Sequence, residues 1–147
     1  MTTITIDPNY GYVLLAATST FFLNFVHSGA TGTARKAANV PYPAAYAPSS
    51  RKDHEAHVFN CTQRAHANYI ENLVPMLGSL FIAGLRFPLV SAGMGAGWTL
   101  GRFIYLRGYG KGDEGGKGRY QGIWFVFFQL GLMGLAGYTG LGMVMGW

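Results

Sequence analysis

At 147 residues the chain is one domain, and half of it is hydrophobic while 12% is charged, about half the charged share of an ordinary soluble domain. The net charge of +5 comes with no nucleic-acid motif, and the basic residues flank apolar runs, so topology explains the charge and nucleic-acid binding is set aside. A single cysteine, Cys61, excludes an intrachain disulfide and a cysteine-rich metal site.

Four uncharged runs, 8–34, 72–85, 87–101 and 120–147, predict an all-α integral membrane four-helix bundle. A hydrocarbon core of about 30 Å needs about 20 helical residues, so the first and last runs can cross alone. The middle two reach that length only if helix two starts near Arg64 and helix three continues to about Tyr109. The expected spans of the single domain are therefore 9–34, 64–86, 88–109 and 119–146. The first run is read as a retained span, because Asp7 and Pro8 replace the basic n-region of a signal peptide and the run is too long for an h-region.

With four spans, the loop over 28–63 and the loop over 109–120 lie on one side. They and the helix ends facing them hold every Lys and Arg except Arg86, which by the positive-inside rule places that face in the cytoplasm and both termini opposite. The 22 glycines read as helix-packing faces: Gly93, Gly97 and Gly101 recur at four-residue spacing, and Gly131, Gly134, Gly137 and Gly140 at three.

Positions i, i+4 and i+7 share a helix face, so Arg64, Asn68 and Glu71 form one polar stripe, and Arg102, Tyr105 and Tyr109 form another on helix three. Both stripes lie near the cytoplasmic surface, at the level of Arg35 and Arg119. Taken singly, such residues snorkel to headgroups, form an interfacial belt or pair with one another. Taken together they share faces and one depth, which a belt does not require, and ionisable residues at membrane depth mark function. Arginine for carboxylate, glutamate for ammonium, and asparagine and tyrosine for the remainder suit a small zwitterionic peptide.

Other signals are weaker. The sequence HEAH at 54–57 has the wrong spacing for a zinc pair and reads as solvated loop histidines. The glycine-rich stretch 108–119 lacks the Gly-Lys-Ser/Thr of a phosphate loop and reads as a flexible loop. His27 and Asn24 read as packed or hydrogen-bonded core residues, and Cys61 has no neighbour in sequence that would make it nucleophilic. No metal is expected.

The stretch RAHANYIE at 64–71 resembles the RAHxNxxE signature of the membrane-associated proteins in eicosanoid and glutathione metabolism, the MAPEG family. With YGYVLL at 10–15, VPYP at 40–43, FNCTQRAH at 59–66 and GRFIYLRGY at 101–109, the chain looks most like its type 3 microsomal glutathione transferases. The resemblance implies a homotrimer of endoplasmic reticulum membranes with the site facing the cytoplasm and glutathione, as cosubstrate, held between subunits. By resemblance Arg64, Asn68, Glu71, Tyr105 and Tyr109 bind glutathione and Arg35 reaches one of its carboxylates. His66 and Arg102 belong to the same set, His66 standing where some relatives have Gln. Arg119 matches the thiolate-stabilising arginine at the start of helix four. The loop before it varies in the family, so Lys117 and Arg102 remain alternatives for the sulfur. The implied chemistry is conjugation of glutathione to lipophilic electrophiles or reduction of lipid hydroperoxides. Alternatives are leukotriene-C or prostaglandin-E synthesis, a non-catalytic lipid-binding scaffold of the same fold, and a pore, whose polar residues would continue through the bilayer.

Overall fold

The computed structural model describes residues 5–147. They form an all-α structure of four long helices, α1 (Tyr10–Ala37), α2 (His54–Gly84), α3 (Pro88–Tyr109) and α4 (Phe125–Met145), with a 3-10 segment over Glu114–Gly122 before α4.

Local chemistry sets most boundaries. The basic residues Arg35 and Lys36 lie in the last turn of α1, where they complement the helix dipole. Helix α2 begins where Asp53 caps it, its side chain accepting the Ala56 N–H at 3.0 Å, with Glu55 in the first turn. The helix thus starts ten residues before Arg64, and the HEAH histidines sit in its first turn, not in a loop. Hydropathy marks where a helix becomes apolar, and here the backbone is helical well before that. Pro88 opens α3 at its first turn. Gly146, at φ 75°, closes α4 in the left-handed conformation, which a glycine adopts without penalty.

Helix α1 packs on α2 and α3, and α4 packs on the same two from the other side. Val13, Leu23, Tyr69, Met76, Leu80, Trp98 and Leu132 fill the interior. A second, smaller core of Ala38, Val40, Ala47, Ala56 and Phe59 lies under the α1–α2 connection. Arg35 holds that connection by donating to the Ala44 carbonyl at 2.6 Å, and Asn60 Oδ1 accepts the Ala47 N–H at 2.8 Å. At the opposite end Arg86 donates to the Trp147 carbonyl at 2.9 Å, tying the α2–α3 turn to the end of α4.

The expected glycine faces divide into two kinds. A methyl group on Gly101 would meet Phe125, and one on Gly97 would meet the Phe128 ring, so α3 and α4 are close because those positions lack one. Gly134, Gly137 and Gly140 instead have nothing within 4 Å and are exposed. The stretch 108–119 is only partly a loop: residues 110–113 are irregular, and the 3-10 segment from Glu114, interrupted by left-handed Gly115 and Gly116, packs on α3. A side chain on Gly118 would collide with the Gly108 carbonyl, and one on Gly122 with the backbone of Gly101 and Tyr105. Glycine here serves close backbone approach rather than freedom.

The outer surface is apolar. Phe25 is 75% exposed and Val144 85%, and Leu15, Phe22, Phe127 and Met143 are similarly bare. Burying one such side chain is worth roughly 1.5 to 3 kcal/mol, so this surface favours an apolar surround. Helices α1 and α4 are each long and apolar enough to cross a membrane.

Candidate functional site

The two predicted polar stripes meet. Arg64 donates to both Glu71 carboxylate oxygens, at 2.8 and 3.3 Å, and Asn68 Nδ2 approaches the same carboxylate at 3.4 Å. From α3, Arg102 Nη1 donates to Asn68 Oδ1 at 2.8 Å. Asn68 therefore has its carbonyl turned inward and its amide turned to Glu71, an orientation fixed by partners at both ends.

The surroundings of the two arginines differ sharply. The Arg64 and Glu71 side chains are 48% and 51% exposed. Arg102 is 0% exposed, with its guanidinium over the rings of Phe125 at 4.2 Å and Tyr105 at 4.7 Å, and those of Tyr69 and Trp98 at 5.7 Å each. Its Nε and Nη2 have no hydrogen-bond partner among the described residues. The rings offer their negative faces to the cation, yet no carboxylate touches it.

Sequence reasoning missed a relay behind Asn68. Asn72 Nδ2 donates to the Asn68 backbone carbonyl at 2.8 Å, Gln129 Nε2 to Asn72 Oδ1 at 3.2 Å, and Trp98 Nε1 to Gln129 Oε1 at 3.0 Å. The signal was present: Asn72 extends the α2 stripe by one turn, and Gln129 is the sole strongly polar side chain of 125–137. A lone amide in an apolar helix seeks a partner across helices. Pro75, inside α2, has no N–H to give the Glu71 carbonyl four residues earlier.

Arg35 and His66 lie on an adjoining face. With Tyr42, Gln63 and Glu71 they line a cavity of about 570 Å³ between α1 and α2, within the size range of small-molecule sites. Arg35 stacks over Tyr42 at 4.4 Å and Phe59 at 4.7 Å. His66 meets the His27 ring edge-on at 5.8 Å, and His27 stacks on Tyr69 at 4.5 Å. His27 is buried as expected, but among the described residues neither of its ring nitrogens has a hydrogen-bond partner, and neither does Asn24 Oδ1.

The third group is Tyr105, Tyr109 and Arg119. The two tyrosines meet edge-on at 5.7 Å, and Arg119 lies 5.7 Å from Tyr109 and 4.6 Å from Tyr120. Arg119 is in the 3-10 segment, not at the start of α4, where Nη1 donates to the carbonyls of Gly115 and Gly116, both at 3.0 Å, and Nη2 to the Tyr120 hydroxyl at 2.9 Å. The positive-φ glycines 115 and 116 turn those carbonyls toward it. Lys117 is exposed. The link between the Arg35–His66 group and the Tyr109–Arg119 group runs through His27, Tyr69, Arg102 and Tyr105; no hydrogen bond, ion pair or ring contact joins the two groups directly among the described residues. Nor do three His, Cys, Asp or Glu side chains cluster there as a metal site would require. Cys61 is buried, its sulfur 3.6 Å from His57 Nε2.

The profile of the MAPEG family matches residues 13–141. The chain belongs to the MAPEG family. That family includes membrane glutathione transferases and eicosanoid synthase-like enzymes. Membership and the apolar helices α1 and α4 together support membrane association.

Proposed function

We propose that this MAPEG protein is a membrane-bound glutathione transferase with glutathione-dependent peroxidase capacity, most like the type 3 microsomal enzymes. It crosses the endoplasmic reticulum membrane with all four long helices as a bundle and acts as a homotrimer with its site facing the cytoplasm. One observation carries the reading: the Arg64–Glu71 pair and Asn68 stand half-exposed at the mouth of the molecule, held in place by the buried Arg102. An exposed ion pair contributes at most about 1 kcal/mol to a fold, whereas a buried guanidinium without a counter-ion is costly. Stability alone does not account for that expense. A pre-oriented amide, carboxylate and guanidinium account for it as a recognition surface.

The donor set fits glutathione, which brings two carboxylates, an ammonium, two amides and a thiol. Glu71 would take the ammonium, Arg64 and Arg35 the carboxylates, and Asn68, His66, Tyr105 and Tyr109 the remaining polar atoms. When bound, glutathione supplies the thiol that attacks a lipophilic electrophile or a lipid hydroperoxide. Arg119 supplies a fixed positive charge for the sulfur, and an opposite charge close by shifts a pKa by roughly 1 to 3 units. Because its donors are already oriented by carbonyls, little reorganisation accompanies the reaction. Arg102, enclosed and committed to Asn68, is assigned to positioning rather than to the sulfur. The separation of the Arg35–His66 and Tyr109–Arg119 groups within one chain supports a site completed by a second copy.

The test is turnover by the purified protein with glutathione and a chloronitrobenzene, and separately with a lipid hydroperoxide, alongside calorimetric titration of glutathione. Turnover that disappears with Arg119→Ala while binding persists supports the enzyme. Tight lipid binding with no glutathione binding would leave the scaffold reading in its place.

A further inference from the structure

On the outer surface α1 and α3 enclose a groove that runs most of the length of the molecule. Its upper section, about 520 Å³, lies between Val26, Ala30, Ala34, Val58, Phe103 and Arg107. The middle section, about 490 Å³, shares Val26 and Phe103 with it and continues past Phe22 and Leu100. The lower section, about 460 Å³, shares Ser19 and Ala96 with the middle and ends beside Tyr12 and Leu89. From Leu89 to Arg107 the helix rises about 27 Å, close to the ~30 Å of a bilayer's hydrocarbon core. No residue lining these sections lines the Arg35–His66–Glu71 cavity.

The groove is built for an apolar chain. Its floor is narrow because Ala16 packs against Gly95, and the hydroxyls of its middle section are already used. Ser19 Oγ bonds the Ala16 carbonyl at 2.6 Å and lies 3.3 Å from Thr99 Oγ1, and Thr99 Oγ1 bonds the Gly95 carbonyl at 3.0 Å. Among the described residues of the upper and middle sections Thr33 alone has a hydroxyl without a hydrogen bond, and it is exposed near the end of α1.

The upper end is different. Arg107, in the last turn of α3, is exposed. Its guanidinium has neither hydrogen bond nor ion pair among the described residues, only the Phe103 ring at 5.9 Å. No acidic residue lines that section, while Lys36 lies in the last turn of α1 and Lys111 follows α3. A forked, unpaired guanidinium at the head of an apolar trough matches a phosphate at the head of an acyl chain.

We propose that the α1–α3 groove is a binding site for an anionic phospholipid of the cytoplasmic leaflet, with its phosphate on Arg107 and one acyl chain in the upper and middle sections. One leaflet's hydrocarbon is about 15 Å deep, half the core, which at 1.5 Å per residue spans from Arg107 to about Gly97. The proposal rests on the membrane placement argued above and is independent of the glutathione chemistry.

The experiment reconstitutes the full chain with phosphatidylglycerol bearing a photoactivatable acyl chain, or with phosphatidylcholine bearing the same chain, and maps the labelled residues by mass spectrometry. Phosphatidylglycerol should label Phe22, Val26, Leu100 and Phe103 in preference to the more exposed Phe127 and Val144 on α4, and more strongly than phosphatidylcholine does. Arg107→Gln should lower that preference roughly fivefold, the share of one basic residue beside an anionic surface, with glutathione turnover unchanged. Ala30→Trp with Ala96→Trp should abolish labelling of the groove by either lipid. Equal labelling by both lipids in the unmodified protein, or an unchanged preference in Arg107→Gln, overturns the proposal. So does a groove closed to both lipids in which Val26→Cys and Phe103→Cys cross-link between copies, since a second chain then occupies it. Loss of glutathione turnover with groove labelling intact would overturn the enzyme reading and leave the lipid site standing.

Discussion

Arg64 and Arg102 hold two linked residues of α2, Glu71 and Asn68, from opposite environments. Arg64 faces outward, is half exposed and holds a carboxylate by two hydrogen bonds. Arg102 faces inward, is fully buried and holds only an amide oxygen, with aromatic rings in place of a counter-ion. Water screens the first pair, so its removal costs the fold little. The second is a charge removed from solvent without an opposite charge, so its cost to the fold is offset only by what it positions. On the proposed function, recognition sits at the mouth and orientation is set from within.

A third guanidinium gives the sharpest division of labour. Arg119 is held by backbone carbonyls and touches neither Asn68 nor Glu71, so it should serve rate and not affinity. Arg119→Ala is expected to lower the maximal rate about 100- to 1000-fold, with glutathione affinity reduced much less. Turnover and calorimetry on one preparation measure both. If Arg102→Met abolishes the rate while affinity holds, the inner arginine acts on the sulfur and the comparison fails.

The next effect in size belongs to the mouth. Glu71→Gln removes a charge-assisted contact worth about 1.5 to 3 kcal/mol when fully used, so glutathione affinity should fall roughly 10- to 100-fold. Melting of the ligand-free protein in detergent should barely move. A large loss of thermal stability with unchanged affinity would make the pair a structural staple instead.

Arg102→Met isolates the inner arm. It removes the anchor of Asn68 Oδ1 and leaves a buried acceptor unsatisfied, a penalty of about 1 to 3 kcal/mol, while relieving the uncompensated charge. Stability should change little because these oppose one another, but Asn68 loses its fixed orientation and affinity should drop about tenfold. Arg102→Ala should also melt earlier, because it leaves a cavity. Equal affinity in the Met variant and the unmodified protein would show that Asn68 needs no inner support.

How far the sequence reaches follows from which arrangements are periodic. The stripe of Arg64, Asn68 and Glu71 is visible because helical spacing alone puts those side chains together, and Arg102 meets it because α3 packs alongside α2. The Trp98–Gln129–Asn72 relay joins three helices through residues spread over 57 positions, and no local rule reports that. The 108–119 stretch misleads for a different reason. Glycine gives the same letter where the chain needs freedom and where two backbones touch, and only the approach of Gly118 to Gly108 separates the cases. The early start of α2 was readable from Asp53 and Glu55 as a cap and first turn, but the apolar run drew the boundary to Arg64. The position of Arg119 shifted with the 3-10 segment, which keeps it beside Tyr109 while moving it off α4.

The smallest expected effect concerns a second exposed ion pair, one placed to hold structure rather than ligand. Arg51 donates to both Asp53 oxygens, at 2.8 and 2.6 Å, and also to the carbonyl of Ala38 at the end of α1. Asp53 meanwhile caps α2. Hydrogen bonds from Arg51 first, and from the Ala56 N–H second, hold the Asp53 carboxyl down to about 2 from an ordinary 3.8. A folded-state pKa below the unfolded one adds stability that is fully present above pH 3.8 and is lost as pH falls toward 2. Amide exchange at Ala56 should therefore quicken over that window, without loss of the rest of the helix. Asp53→Asn separates the two roles, because the amide oxygen still caps the helix while the ion pair and its titration disappear. It should leave Ala56 protected at pH 7 and remove the acid-dependent step. If the step survives in Asp53→Asn, another carboxyl governs the start of α2. If Ala56 loses protection at pH 7, the Arg51 pair and not the cap sustains it, and an exposed ion pair matters more to this fold than the contrast between Arg64 and Arg102 implies.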